Sequence, residues 1–345
     1  MKFSLFVHME RVSASEDQRQ LYEDMLELCR IADEGGMHAI WTGEHHGMNF
    51  TIAPNPFLNL IDIARRTKNV RLGTGTVIAP FWHPIRLAGE AAMTDLLTQG
   101  RLDLGIARGA YMYEYQRMVP GLDAWGAGAR MRELIPAVQK LWAGDYAHDG
   151  EFWQFPATTS SPLPVQQPHP PIWVAARDPN SHEFAVSHGC NVQVTPLHQG
   201  DEEVVNLMAS FDAACAKFPE IPRPKIMVLR HTYVADSEAD AQQGAEEVNL
   251  FYNYFGAWFK NERPVSMGLI DPISPAEVAA NSFLSPQMMR RNQIIGEAPE
   301  VIERIRSYEA LGYDEFSLWI DSGMSFARKR ASLERFIRDV MPAFA

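Results

Sequence analysis

A carboxylate and two histidines stand side by side at Glu44-His45-His46, directly after the apolar run Ala39-Ile40-Trp41-Thr42-Gly43. Those residue types offer two chemistries, metal ligation or proton transfer. Adjacent side chains on an extended chain point to opposite sides. His45 and His46 therefore do not aim at one ion, and no metal is expected. An imidazole titrates near pH ~6.5 by default, which suits His45 to acid–base work. His46 is expected behind it, held by a hydrogen bond. Arg108 ends a strand, where an arginine suits an anion and a surface ion pair serves as well. Arg177-Asp178-Pro179-Asn180-Ser181 runs from a strand into a helix. Free N–H groups and the helix dipole make such a turn a seat for phosphate, and a plain N-cap fits it equally. His231 lies mid-strand beside Arg230, so alternation lets only one of the two face the interior. Asp95 and Arg101 read as an ion pair pinning a helix to the next strand. Most aromatic residues read as core. Tyr111, Tyr113 and Tyr115, in a glycine-rich connection, are the exceptions.

These residues hang on an alternation of strands and helices. Val70 to Val77 has the small and apolar residues of a fully buried strand, and Pro80 and Pro84 punctuate the loop after it. Ile85 to Leu97 carries a helical stripe, closed by Gly100. Leu102, Leu104 and Ile106 alternate in the following strand. Before this unit come a strand from Lys2 to His8, a helix over 17–34, a strand from Ala39 to Gly43 and a helix over 56–66. After it come the connection 109–127, a helix from Arg130 to Trp142, a hairpin turning at Asp149-Gly150, and a proline-rich stretch over 156–171. Strands then follow at Ile172–Ala176, Asn191–Thr195, Ile226–Val234 and Phe316–Ile320. Their helices start near Pro179 and span 201–217, 237–251 and 325–340.

Eight strands with intervening helices imply an α/β fold, a (β/α)8 TIM-type barrel, because closure at eight leaves no exposed edge. A doubly wound open sheet is the alternative, but no GxGxxG follows Val7. Residues 252–295 do not fit the alternation. They hold Tyr252, Tyr254, Phe255, Trp258, Phe259, several prolines and a polar helix around 275–281. They read as an insertion before the last strand, a lid or a packing appendage, within one domain over 1–345.

A formal charge of −12 argues against nucleic acid as partner. Three cysteines, Cys29, Cys190 and Cys215, are too scattered for a disulfide framework. The opening MKFSLFVHMERVS turns polar too soon for a signal peptide. No apolar run approaches the roughly 20 residues of a membrane helix. A cytoplasmic protein is expected.

Three stretches, GTGTVIAPFWHPIRLAGEAAMTDLLTQGRLDLGIARG, AIWTGEHH and GEAPEVIERIRSYEALGYDEFSLWI, together resemble the bacterial luciferase-like, flavin-dependent monooxygenases, nearly end to end. The resemblance implies the barrel with its late insertion. It implies reduced FMN supplied by a separate flavin reductase, O2, and oxygenation of a small organic, apolar substrate through a flavin C4a-hydroperoxide. It implies a homodimer. His45 matches the family's catalytic histidine. Arg108 matches a residue near the flavin, and Ala110 and Tyr111 match neighbouring backbone contacts. Arg177, Asp178 and Ser181 match the phosphate-holding turn, with Arg132 (or Arg130) a further phosphate-side arginine. Gly75 and Thr76 match a cis peptide beneath the isoalloxazine. Glu44 and His231 fall on the substrate side. Ala107 stands where luciferase has a reactive cysteine, and Arg177 where it has a glutamate. Both departures argue against light emission from a long-chain aldehyde. An F420-dependent oxidoreductase and a non-catalytic flavin-binding protein are the alternatives within the same barrel.

Overall fold

The computed structural model describes residues 1–280, 284–320 and 323–344. β1 (Lys2–Val7) is buried beyond its first residue, as a strand covered on both faces must be. Asp17 caps α1 (Gln18–Glu34), accepting the Arg19 amide at 2.8 Å. Met25, Leu28, Cys29 and Ala32 turn the helix's apolar stripe inward. Its last turn also fixes a later strand, because the Asp33 carboxylate accepts the amides of Lys68, Asn69 and Val70 at 2.8–2.9 Å. β2 (Ala39–Thr42) and α2 (Pro56–Arg66) follow.

The expected strand over 70–77 is two pieces, β3 (Arg71–Thr74) and β4 (Val77–Ile78), on either side of a cis peptide at Gly75–Thr76. After α3 (Pro84–Leu97) the chain reverses through two left-handed residues, Gln99 at φ 58° and Gly100 at φ 75°, where Gly100 alone was expected. The expected Asp95–Arg101 pair is replaced by backbone contacts. Arg101 donates to the carbonyls of Ala64, Val70 and Thr98, while Asp95 accepts the amides of Val165 and Gln166 and so holds the proline-rich connection.

β5 (Leu102–Ala107) leads into α4 (Met112–Met118), a helix the glycine-rich sequence concealed. α5 (Ala124–Ala143) begins six residues before Arg130, because Asp123 caps it through the Gly126 amide. β6 (Tyr146–Asp149) and β7 (Gln154–Thr158) form the expected antiparallel hairpin. Then come β8 (Ile172–Ala175), α6 (Pro179–Ser187), β9 (Asn191–Val194), α7 (Asp201–Lys217) and β10 (Ile226–Ala235). α8 (Glu238–Lys260) runs well past 251, since Val248, Phe251, Tyr252 and Trp258 continue its buried stripe. Residues 252–260 therefore belong to this helix and not to an insertion.

The excursion proper holds the small hairpin β11 (Val265–Ser266) and β12 (Leu269–Ile270), then α9 (Pro275–Ala280) and α10 (Pro286–Asn292). Residues 281–283 of the expected insertion, including the end of its polar helix, lie outside the described residues. β13 (Ile294–Glu297) and α11 (Ala298–Leu311) precede β14 (Glu315–Trp319) and α12 (Phe326–Arg335).

The strands β1, β2, β3, β5, β8, β9, β10 and β14 pair in parallel around a closed circuit of eight. β10 is long enough to serve a third neighbour beyond β9 and β14, its two in the circuit. Met227–His231 pairs with β14, and Thr232–Ala235 pairs with β13, a strand outside the circuit. One apolar core lies between strands and helices. A second, rich in aromatic residues, caps the C-terminal ends of the strands and includes Phe50, Tyr111, Phe251, Tyr252, Trp258 and Trp319.

Candidate active site

His45 leaves the C-terminal end of β2 with its amide bonded to the Ala53 carbonyl at 3.0 Å. Its Nδ1 meets Glu114 Oε2 at 3.0 Å, and the other oxygen of Glu114 accepts the His46 amide at 2.7 Å. Glu114 sits in the first turn of α4 and is 1 % exposed. One buried carboxylate thus grips two successive residues and fixes the ring, leaving Nε2 outside this contact. Rings of His8, Phe50 and Tyr111 surround it, with centroids 5.3–5.6 Å away. Nothing in the sequence near Glu114 marks this role, because its partner is 69 residues away.

His46 points the other way, as strand alternation requires. Its Nε2 meets Glu44 Oε1 at 2.6 Å. Burial disfavours the His46 cation, but the Glu44 hydrogen bond and the charges of Glu44 and Glu114 outweigh it and raise the pKa above the usual imidazole value. The second oxygen of Glu44 accepts the Ile78 amide at 2.8 Å and Trp82 Nε1 at 2.9 Å. Glu44 was expected toward the substrate. Its carboxylate is instead engaged by the protein on both oxygens, where it ties the end of β2 to β4 and the turn after it.

Gly75 and Thr76 lie between β3 and β4. A Cβ at Gly73 would collide with the Trp41 ring, and one at Gly75 would lie 2.8 Å from Phe6 Cε2. Only glycine fits under those rings. Thr74 Oγ1 both donates to the Gly105 carbonyl and accepts the Gly105 amide, each at 2.8 Å, locking β3 to β5.

Arg108, Arg132, Asp178 and Ser181 converge on one cavity of about 560 Å³, shared with Trp125, Gly128 and Asn180. The first turn of α6 opens onto it. Asp178 caps that helix, accepting the Ser181 amide at 3.1 Å and the Ser181 hydroxyl at 2.6 Å. Burial opposes the Asp178 anion, but these bonds and the Arg108 charge hold its pKa below the ordinary carboxylate value. Asp178 therefore shapes the turn, since an anion would not bind an anion. Arg177 was expected beside it on the phosphate. Its guanidinium turns away to Gln199 Oε1 at 2.7 Å and Glu203 Oε1 at 3.2 Å. Arg108, Arg132, a serine and a helix N-terminus around an open cavity fit a phosphate-bearing cofactor. Ala110 is exposed at the rim, and Tyr111 is buried against His45. Tyr115 Oη donates to the Arg108 carbonyl at 2.9 Å and holds the loop between them.

His231 faces the mouth and Arg230 faces away, toward the Gln199 carbonyl at 2.9 Å. The His231 ring stacks on Trp319 at 4.2 Å and 19°. His8 lies 5.4 Å from the same indole. Burial first, then neighbouring positive charge, pushes both histidines well below the usual imidazole range. His45, Tyr111 and His231 thus share one aromatic cluster. Arg108, Arg132, Asp178 and Ser181 share the adjoining cavity. Glu44 and the Arg177 side chain belong to neither.

A family model described as luciferase-like monooxygenase matches residues 1–315. The oxygenase component of flavin-dependent trigonelline monooxygenase from Acinetobacter baylyi is 71 % identical over 345 residues, which is 100 % of this chain and 96 % of that protein. A crystal structure of a monooxygenase from Streptomyces bottropensis aligns over 100 % of both chains with a TM-score of 0.83 and 29 % identity. The oxygenating constituent of 3,6-diketocamphane monooxygenase from Pseudomonas putida, in complex with FMN, covers 99 % of this chain and 98 % of its own, with a TM-score of 0.78 and 20 % identity. At that identity the likeness speaks for the fold alone.

Proposed function

We propose that this chain, which belongs to the luciferase-like monooxygenase family and is a flavin-dependent monooxygenase, uses reduced FMN from a partner reductase to oxygenate trigonelline or a near relative of it. The observation that carries this reading is the 71 % identity to a trigonelline monooxygenase oxygenase component, spread over the whole chain. Bound reduced flavin supplies the electrons that activate O2, one oxygen atom going to substrate and the other to water.

The chain's own residues have separate tasks. Arg132, Ser181 and the first amides of α6 hold the phosphate, and Arg108 closes the same cavity. Asp178 organises the turn. Gly75 and the peptide bond joining it to Thr76 give the ring a backbone floor. Glu114 sets the His45 ring, and His45 gives or takes a proton at Nε2. Glu44 holds His46 and the stretch around Ile78 and Trp82 in place.

The hairpin β11–β12 docks on the loop after β2, where the Asn49 amide donates to the Gly268 carbonyl at 2.7 Å. That contact supports a covering role for the excursion after α8. Leu58 on α2 and Met93, Leu96 and Leu97 on the adjoining α3 are exposed, which supports a homodimer through that face. No described helix is long and apolar enough to cross a membrane.

The test supplies purified protein with a flavin reductase, FMN, trigonelline and isotopically labelled O2. The reading expects one labelled oxygen atom in the product. Hydride transfer without O2 consumption would overturn it.

A further inference from the structure

Two hydrogen-bond donors in the aromatic cluster are buried and have no partner among the described residues, Trp319 Nε1 and Tyr252 Oη. Their residues are 6 % and 1 % exposed. An indole N–H donates only. Burial pushes the Tyr252 pKa up, so its hydroxyl stays protonated as a donor too. Unmet buried donors are uncommon in native proteins, and a ligand is one of the few explanations for them. The two flank a single ring. His231 stacks on Trp319 at 4.2 Å and lies edge-on to Tyr252 at 5.0 Å.

The charges behind the rings are sorted by side. Arg230 is buried and donates to the carbonyls of Gln199 and Asn292. Asp201 lies 3.9 Å from it and is engaged more closely by Arg304, at 2.8 Å. The positive charges of Arg230 and Arg177 act on the Tyr252 hydroxyl. At the other side the negative charges of Glu114 and Glu10 act on Tyr111. Phe251 and Phe255 bridge the sides. Phe251 packs 5.2 Å from Trp319 and 5.6 Å from Phe50, and Phe255 packs 5.8 Å from Tyr252 and 6.1 Å from Tyr111. The walls between them are apolar.

We infer that the aromatic cluster binds a zwitterionic heteroaromatic acid, its ring cation against Tyr111 and Phe50 and its carboxylate accepting hydrogen bonds from Trp319 Nε1 and Tyr252 Oη. This deepens the proposed function and rests on it, because trigonelline is an N-methylated pyridinium carboxylate. Aromatic faces attract a ring cation. A neutral donor pair with a buried arginine behind it suits a carboxylate.

The test is equilibrium binding by calorimetry, with FMN present, of trigonelline and of N-methylpyridinium, which lacks the carboxylate. Wild type is compared with Trp319→Phe and Tyr252→Phe, which keep the rings and remove one donor each. Circular dichroism and FMN binding establish that the variants fold. Each variant is expected to bind trigonelline roughly tenfold more weakly and N-methylpyridinium unchanged. Equal losses for both ligands, or no loss for trigonelline, overturn the assignment while wild-type turnover of trigonelline leaves the proposed function standing. A wild type that neither binds nor turns over trigonelline overturns both.

Discussion

Glu114 and His45 are joined at 3.0 Å across 69 residues of sequence, and the same carboxylate holds the amide of His46 at 2.7 Å. A histidine gripped at Nδ1 has its ring plane and its free nitrogen decided for it. The replacement Glu114→Gln keeps the volume and one acceptor but loses the charge. Turnover is expected to fall by about one to two orders of magnitude, with FMN affinity kept. Steady-state rates beside an FMN titration check this. A loss of FMN binding in step with turnover would make Glu114 a part of the cofactor seat instead.

The two arginines near α6 are predicted to behave differently. Arg132 lines the cavity, whereas Arg177 is engaged by Gln199 and Glu203. Arg132→Ala is expected to weaken FMN roughly tenfold or more, by losing a charge-assisted contact. Arg177→Ala is expected to change FMN affinity by less than about twofold, since partly exposed ion pairs contribute little. Fluorescence titration of both variants decides the matter, and the reverse ranking would return the phosphate to Arg177.

Glu315 gives a pH signature to the barrel interior. It is buried beneath the mouth with Trp41 Nε1 donating to it at 3.0 Å. Burial is the main cause that raises its pKa from 4.5 to about 7, with the Asp103 charge adding to it and the Ser4 and Trp41 hydrogen bonds opposing it. Between those values the folded chain keeps a proton that the unfolded chain has released. Stability from this group is therefore full below pH 4.5 and is lost as pH rises to about 7. Glu315→Gln removes the loss. Relative to wild type the variant should gain up to about 3 kcal/mol between pH 5 and pH 8. Urea unfolding at the two pH values measures it, and parallel curves for both proteins would refute the shift.

Leu96 and Leu97 are nearly half exposed on α3, beside the exposed Leu58 of α2. If this face joins two copies, Leu96→Glu with Leu97→Glu should convert the dimer to monomer in sedimentation at micromolar concentration, with FMN binding retained. A double variant that still sediments as a dimer would place the interface elsewhere.

The barrel was legible in the sequence because its strands are buried on both faces and read as short apolar runs, Ala39–Thr42 and Ile172–Ala175 among them. Local signals failed where tertiary contacts decide. Phe255 and Phe259 look like an irregular aromatic stretch, yet they complete the turns of α8. β13 is four residues long and exists only because β10 is long enough to pair with it. His45 stood out because histidines at a strand end carry chemistry, while Glu114 is one acidic residue among tyrosines. Arg177 matched a family position, but side-chain direction follows from Gln199 and Glu203, which no local pattern links to it. Trp319 read as one more residue of the last strand, and Tyr252 as the start of the insertion.

His45 carries the central claim, that the mouth of this barrel oxygenates substrate with a histidine held ready by Glu114. The most direct measurement is product formation by His45→Ala with reductase, FMN, trigonelline and labelled O2, beside its FMN dissociation constant. The account predicts turnover lowered by about two to four orders of magnitude with FMN still bound. Turnover equal to wild type would contradict it.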